Sequence, residues 1–181
     1  MVEKGILEGI KILTLEQVHA LPWGTGFLAD LGAQVIRIES VHHLQDRKSG
    51  PFAEGKAGLE WWNEGGNLVY FGTRNKQSLC LDVTQSSGKE IFLELAKGAD
   101  IVTDNFRPGT MQRFGFDHES LSLINPKIIT LSSTAYGYTG PWRRAGSRAR
   151  TVDAACGLSY LTGYEGGPSY RASNNYMDHS V

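Results

Sequence analysis

Short β-branched apolar runs alternate with helix-like segments along this chain, and that alternation constrains its fold more than any other feature. The first run, Ile10-Lys11-Ile12-Leu13-Thr14-Leu15, is short and mostly apolar, like a central parallel strand. Pro22 suits the first turn of a helix reaching Leu31, where its missing N–H has no partner to lose. Gly32 is placed to end that helix in a left-handed conformation. Gln34-Val35-Ile36-Arg37-Ile38-Glu39 is the second strand, so the opening reads as a βαβ unit. Ser78–Val83, Ile101–Thr103 and Ile128–Ser133 read as three further strands. Helices are expected from Ser86 to Lys97, from Pro108 to Arg113, from Glu119 to Ile124 and from about Arg150 to Leu161. In the first of these, Ile91, Phe92, Leu95 and Ala96 form one apolar stripe. Residues 41–67 read as a long loop with one short element around Trp61-Trp62. The whole pattern predicts a doubly wound α/β domain with a mostly parallel sheet. Ligands in such folds bind beyond the carboxyl ends of the strands, which points to the loops starting near Gln17, Ser40, Asp104 and Ser133.

Composition narrows the function classes. With 18 Lys+Arg against 19 Asp+Glu, the net charge of −1 argues against bulk nucleic-acid or anionic-membrane binding. Two cysteines, Cys80 and Cys156, make no disulfide scaffold, and the five histidines show no metal-ligand spacing. No apolar run approaches the ~20 residues of a membrane span, and the first residues lack a signal-peptide core. A cytoplasmic protein without bound metal is the expectation.

Several motifs admit two readings. Gly24-Thr25-Gly26-Phe27-Leu28-Ala29, with Glu39 closing the second strand, resembles a dinucleotide fingerprint and would suggest an NAD-dependent oxidoreductase. However, Glu16 through Trp23 separate it from the strand, so the helix start no longer meets a pyrophosphate. Close packing of helix on sheet is the plainer role. Asp104-Asn105-Phe106-Arg107-Pro108-Gly109 suits an anion or an aromatic base, and equally an ordinary βα turn. Arg143, Arg144, Arg148 and Arg150 would hold phosphates, meet an acidic partner, or stay solvated. Asp178-His179 reads either as an acid/base pair or as a polar tail.

The ordered set of segments does more than any one of them. Leu7 to Leu13, Leu28 to Glu39, Arg74-Asn75-Lys76-Gln77-Ser78, Ala99 to Gly109, Ile124 to Ile129 and Tyr136-Gly137-Tyr138-Thr139-Gly140-Pro141 occur in one register. Together they resemble the class III CoA-transferases, a family that also holds the α-methylacyl-CoA racemases. The resemblance runs from about Leu7 to Ser180 and covers the N-terminal part of a family chain. It implies a Rossmann-like CoA-binding core over residues 1–145. Residues 146–181 would then carry a helix and the nucleophile toward a second domain.

The resemblance also implies roles. Thr162-Gly163, Gly167-Pro168 and Asp178 match the family's nucleophile segment, making Asp178 the candidate acyl acceptor. His19 matches a position near the acyl group, and Val18 an early carrier contact. Asn105, Phe106 and Arg113 match residues that meet the nucleotide, and Leu81 an apolar contact beside the adenine. Tyr136 and Gly137 are expected at the pocket mouth. Ser40, Thr84 and Ala135 stand where some transferases have basic residues, leaving Arg37, Arg74, Lys76 or the Arg143–Arg150 cluster to compensate. Coenzyme A and acyl-CoA enter as substrates, with no permanently bound cofactor, and the partner acid is a carboxylate. An interlocked homodimer, or a complementary chain, is the implied assembly. The racemase branch carries a Gly-His-Asp segment after the Gly-Pro turn; the corresponding Gly146-Ser147-Arg148-Ala149 has no histidine, which favours transfer over racemisation. A non-catalytic CoA-binding fragment and the NAD-dependent oxidoreductase are the other readings.

Overall fold

The computed structural model describes residues 5–40, 42, 46–48, 52, 72–171 and 176–180. Five strands form one sheet: β1 (Lys11–Leu15), β2 (Gln34–Glu39), β3 (Gln77–Cys80), β4 (Ile101–Asp104) and β5 (Ile129–Ser132). Their order is β3-β2-β1-β4-β5, and every neighbouring pair is parallel. This is the doubly wound, Rossmann-like α/β architecture that the alternation predicts. The helices are α1 (Ala20–Asp30), α2 (Ser86–Lys97), α3 (Thr110–Phe114), α4 (His118–Ile124), α5 (Ala149–Ala155) and α6 (Leu158–Leu161). Single 3-10 turns cover Asp46–Lys48 and Met177–His179. Trp61-Trp62 lies outside the described residues.

Helix ends follow local chemistry. Pro22 is the third residue of α1, still within the turn whose N–H groups lack intrahelical partners. At the other end Gly32 takes φ 101°, while the Gly32 and Ala33 N–H groups donate to the Ala29 and Leu28 carbonyls at 3.0 Å each. That pair of bonds is a Schellman stop. The helix expected over residues 150–161 is instead two helices. Gly157 adopts φ 86°, a left-handed conformation that no helix interior accepts, and so separates α5 from α6. Strand β3 also ends sooner than its apolar pattern suggests. The Asp82 carboxylate accepts from the Thr84 N–H at 2.9 Å and its hydroxyl at 2.6 Å, folding the chain away from the sheet.

The sheet is covered on both faces. On one, Leu13, Leu15, Ile38 and Val102 pack with Phe92, Ala96, Met111, Phe116 and Leu121. Phe92 and Phe116 stack with ring centroids 4.0 Å apart. On the other, Ile12 and Val35 pack with Ala29 and Ala33 at the end of α1. Ile12 and Leu13 thus serve opposite faces, the period-2 alternation of a strand. Of the α2 stripe, Phe92 and Ala96 are buried, whereas Ile91 is 48% exposed and lies outside the core. No helix among the described residues is long and apolar enough to cross a membrane.

The strand order reverses between β1 and β4, so the loops after these strands diverge and open a crevice at their carboxyl ends. A cavity of about 280 Å³ lies there.

Candidate functional site

The cavity wall is built from the strand ends and the loops beyond them. Leu15 ends β1 and Glu16 and Gln17 follow it, while Arg37, Glu39 and Ser40 come from β2 and the residue after it. Leu81 and Thr84 follow β3, and Phe106, Thr110 and Phe114 come from the β4 loop and α3. Leu81 and Phe106, both expected as carrier contacts, therefore share one surface.

Charges around this cavity are paired with one another. The Glu16 side chain is fully buried, and its carboxylate accepts from Thr14 Oγ1 at 2.9 Å, Thr25 Oγ1 at 2.5 Å and Lys76 Nζ at 2.5 Å. Burial pushes the Lys76 ammonium down to about 8, outweighing the attraction of Glu16. Arg37 is buried and ion-paired with Asp46, with Glu39 at 3.5 Å. Arg47 and Ser78 both donate to Glu39 Oε2, each at 2.6 Å. Burial would raise the Glu39 carboxyl, but those hydrogen bonds and the two arginines hold it below its ordinary value. Arg74 pairs with Asp30 at 2.7 Å. Of the basic groups considered as replacements for Ser40, Thr84 and Ala135, Arg37 lines the cavity; Arg74 and Lys76 do not.

The loop after β1 is held under tension. Val18, a β-branched residue, has φ 63° and donates its N–H to Asp46 Oδ1 at 2.8 Å. Asn105 clamps the preceding residue at both ends. Its Nδ2 donates to the Gln17 carbonyl at 2.6 Å, and its Oδ1 accepts from the Gln17 N–H at 2.9 Å. Asn105 thus acts on the loop main chain in this structure. Two residues on, His19 opens α1. Consecutive Cα atoms are about 3.8 Å apart, so His19 begins within about 7.6 Å of the cavity-lining Gln17.

A second group of predicted residues meets at His19. The 3-10 turn bearing Asp178 packs against α1 and α5. The His19 and His179 rings lie 5.7 Å apart, edge to face, and the His179 ring lies 4.7 Å from that of Trp23. Burial pushes the Asp178 carboxyl up; the charge of Asp153 adds to this, while His19 and His179 oppose it. Burial lowers the His19 imidazole, against the attraction of Asp178 and Asp46. Among the described residues Asp178 accepts no hydrogen bond, so its oxygens are unencumbered. His19 and Asp178, from opposite ends of the sequence, are thus brought together.

The other expected residues lie elsewhere. Arg113 lies in the last turn of α3, is exposed, and donates to Thr110 Oγ1 at 3.1 Å. The Tyr136 hydroxyl reaches the Thr151 carbonyl at 3.5 Å, and Gly137 takes φ 73° in the following turn. Neither Tyr136 nor Gly137 lines the cavity. The glycines of the apparent dinucleotide fingerprint fall inside α1; a Cβ on Gly26 would meet the Arg74 guanidinium at 2.9 Å. Ala29 packs on the sheet. Gly26 and Ala29 thus serve packing, as their distance from β1 suggests, while Gly24 faces open space. No group of three or more His, Cys, Asp or Glu among the described residues is arranged to hold a metal ion.

Residues 7–181 match the family model described as CoA-transferase family III. The chain belongs to that family. It is 39% identical, over 98% of its length, to an acyl-CoA transferase of Fusarium pseudograminearum. It is 36% identical, over 96%, to an acetyl-CoA:oxalate CoA-transferase of Acetobacter aceti. A crystal structure of a CAIB/BAIF family protein from Brucella suis superposes with a TM-score of 0.86, at 31% identity over 97% of the chain. The chain spans 39% and 43% of the two named relatives and 46% of the Brucella chain.

Glu16, Asp46, Asp153 and Trp23 were not singled out by sequence reasoning as parts of a site. Asp153 alone left a local trace, an acid between Val152 and Ala154 on an otherwise apolar stretch.

Proposed function

We propose that the protein moves CoA between carboxylic acids and that Asp178 accepts the acyl group. The observation that carries this reading is the meeting of Asp178 with His19, beside the loop that walls the cavity. The Acetobacter relative, named for acetyl-CoA and oxalate, supports two carboxylic acids as the exchanging partners.

In this reading an Asp178 oxygen attacks the thioester carbonyl, and CoA thiolate leaves as a mixed anhydride forms. The thiolate then attacks the Asp178 carbonyl, releasing the first acid as its carboxylate and leaving an aspartyl-CoA thioester. An acceptor carboxylate attacks that thioester, displacing the thiolate and forming a second anhydride. Attack of the thiolate on the acceptor's carbonyl yields the new acyl-CoA and frees Asp178. One difficult exchange becomes four easier displacements. Water must stay out, because each anhydride hydrolyses, and the half-buried setting of Asp178 serves that need.

The carrier's adenine would rest between Leu81 and Phe106 in the cavity. Arg37, whose guanidinium is paired with Asp46, is the basic residue that β2 contributes to its wall. Asn105 would contribute by holding Gln17, and Val18 by turning the chain toward His19, which orients the acyl group. Arg113, Tyr136 and Gly137 would contact the outer parts of the carrier. Residues 1–145 would form the carrier-binding core and residues 146–181 the nucleophile-bearing segment. A second copy would cover the exposed apolar side chains of α6.

Mass spectrometry after incubation with several acyl-CoAs tests the reading. A covalent adduct should map to Asp178 and vanish in Asp178→Ala. An adduct elsewhere, or one that survives the substitution, would reject it. Calorimetry with CoA and NAD side by side separates transfer from oxidoreduction, since NAD binding without CoA binding would favour the latter.

A further inference from the structure

Asp153 is fully buried, and neither of its carboxylate oxygens has a hydrogen-bond partner. No other buried acid among the described residues is left so. Glu16 accepts from two hydroxyls and an ammonium, Asp46 from Val18 N–H and Arg37, and Asp104 from Ser132 and the Phe106 N–H. A carboxylate taken out of water without a donor disfavours folding. An unsatisfied buried acid of this kind calls for a role in its surroundings, a catalytic one among them.

Its surroundings identify that neighbour. Asp153 lies on α5, which packs against the Met177–His179 turn, while α1 packs against the same turn. The charged and titratable groups that act on Asp178 are His19 at the start of α1, Asp153 from α5 and His179 on its own turn. Asp46 acts on His19 in turn. The basic residues of the α5 start, Arg148 and Arg150, are exposed, whereas Asp153 is sealed. Solvent and outside chains cannot reach its oxygens, so its field falls on the packed groups around it.

We propose that Asp153 is a positioning residue for Asp178, its sealed and unpartnered carboxylate keeping the neighbouring carboxylate strongly nucleophilic. A carboxylate beside another negative charge holds its own electrons less tightly and attacks a carbonyl more readily. The burial of Asp178 acts in the same direction, and the two imidazoles act against it. The inference rests on the reading of Asp178 as acyl acceptor.

The experiment is a carboxyl carbon-13 NMR titration of the aspartate-labelled protein and of Asp153→Asn, paired with rates of acyl adduct formation across pH. In the variant the Asp178 inflection should move to lower pH, and the acid limb of the adduct rate should move with it. The plateau rate should fall, by roughly threefold for each unit of basicity lost if the Brønsted slope is near one half, as it is for thiolates. An Asp178 inflection unmoved in a folded variant overturns the proposal, even where thermal stability changes. Should the variant fail to fold, the unsubstituted protein decides. Coupled carboxylates titrate with reciprocal steps in both signals, and two independent single inflections would overturn the idea. A shifted inflection with no adduct in either protein keeps the coupling and rejects Asp178 as acceptor.

Discussion

The carboxyl edge of the sheet and the outer layer of α5, α6 and the Met177–His179 turn treat buried charge in opposite ways. At the sheet edge, Glu16 is enclosed and saturated by Thr14, Thr25 and Lys76. In the outer layer, Asp153 is equally enclosed and accepts nothing. The contrast extends to apolar groups. Phe92 and Phe116 are sealed against the sheet, whereas Tyr160 is 84% and Leu161 78% exposed on α6. The first region spends its interactions on stability and shapes a cavity as a by-product. The second leaves the Asp153 carboxylate without a donor. Under the role proposed for Asp178, a carboxylate that attacks a thioester gains nothing from the donors that would make it a good structural residue.

The largest test of this contrast is Lys76→Met. It removes the ammonium and strands the Glu16 charge in a site sealed from bulk solvent. Breaking a buried pair from one side costs about 3–5 kcal/mol. Urea unfolding should show a loss of that size, and a loss below 1 kcal/mol would mean the sheet edge is not the stabilising region described above.

A smaller effect is expected for Glu39→Gln. Arg47 and Ser78 donate to this carboxylate, and a hydrogen bond to a charged group contributes about 1.5–3 kcal/mol. The sign with pH follows from its lowered folded value. The stabilisation is fully present above the ordinary value of 4.5 and disappears as pH falls through the lower, folded one. Stability measured from pH 7 downward should therefore decline in this acid window, and the variant should lose that part of the decline. Parallel curves would show that Glu39 is not the group responsible.

Phe106→Ala tests the cavity as a carrier site. Losing one aromatic face should weaken CoA binding about tenfold, or ~1.4 kcal/mol. Calorimetry showing unchanged affinity would move the adenine away from this wall.

How far all this was legible in the sequence depended on whether the determinant was local. Strand β2 was placed to the residue, because a continuous β-branched run has few other uses. The end of β3 was missed because the Asp82 turn competes with an apolar pattern that continues through Val83. The split between α5 and α6 hung on one left-handed Gly157, which reads in sequence as a tolerated helical glycine. In the site, Phe106 was legible as an aromatic residue in the turn after the fourth strand, whereas Leu81, read as part of the third strand, was legible only through the family resemblance. The Glu16–Lys76 pair spans 60 residues, and only the β3-β2-β1 order brings its members together. Asn105 was read toward a nucleotide, but its pairing with Gln17 depends on β4 lying beside β1. The left-handed backbone of Val18 had no sequence signal, since β-branched residues disfavour it.

The smallest expected effect is the one that most sharpens the contrast between the two regions. No residue of α6 is buried, so a polar side chain at Tyr160 or Leu161 removes little area from the folded interior. Substitutions away from cores, caps and buried networks change stability by about ±0.5 kcal/mol. Tyr160→Ser and Leu161→Ser should therefore leave the urea midpoint nearly where it is, with an unchanged slope. The same measurement on Phe92→Ala should lose about 3–5 kcal/mol, because that ring fills the space beside Phe116. A loss above about 1 kcal/mol at Tyr160 would exceed what an exposed position allows. It would mean that α6 contributes to the fold that shapes the cavity, and the two regions would then be one cooperative structure.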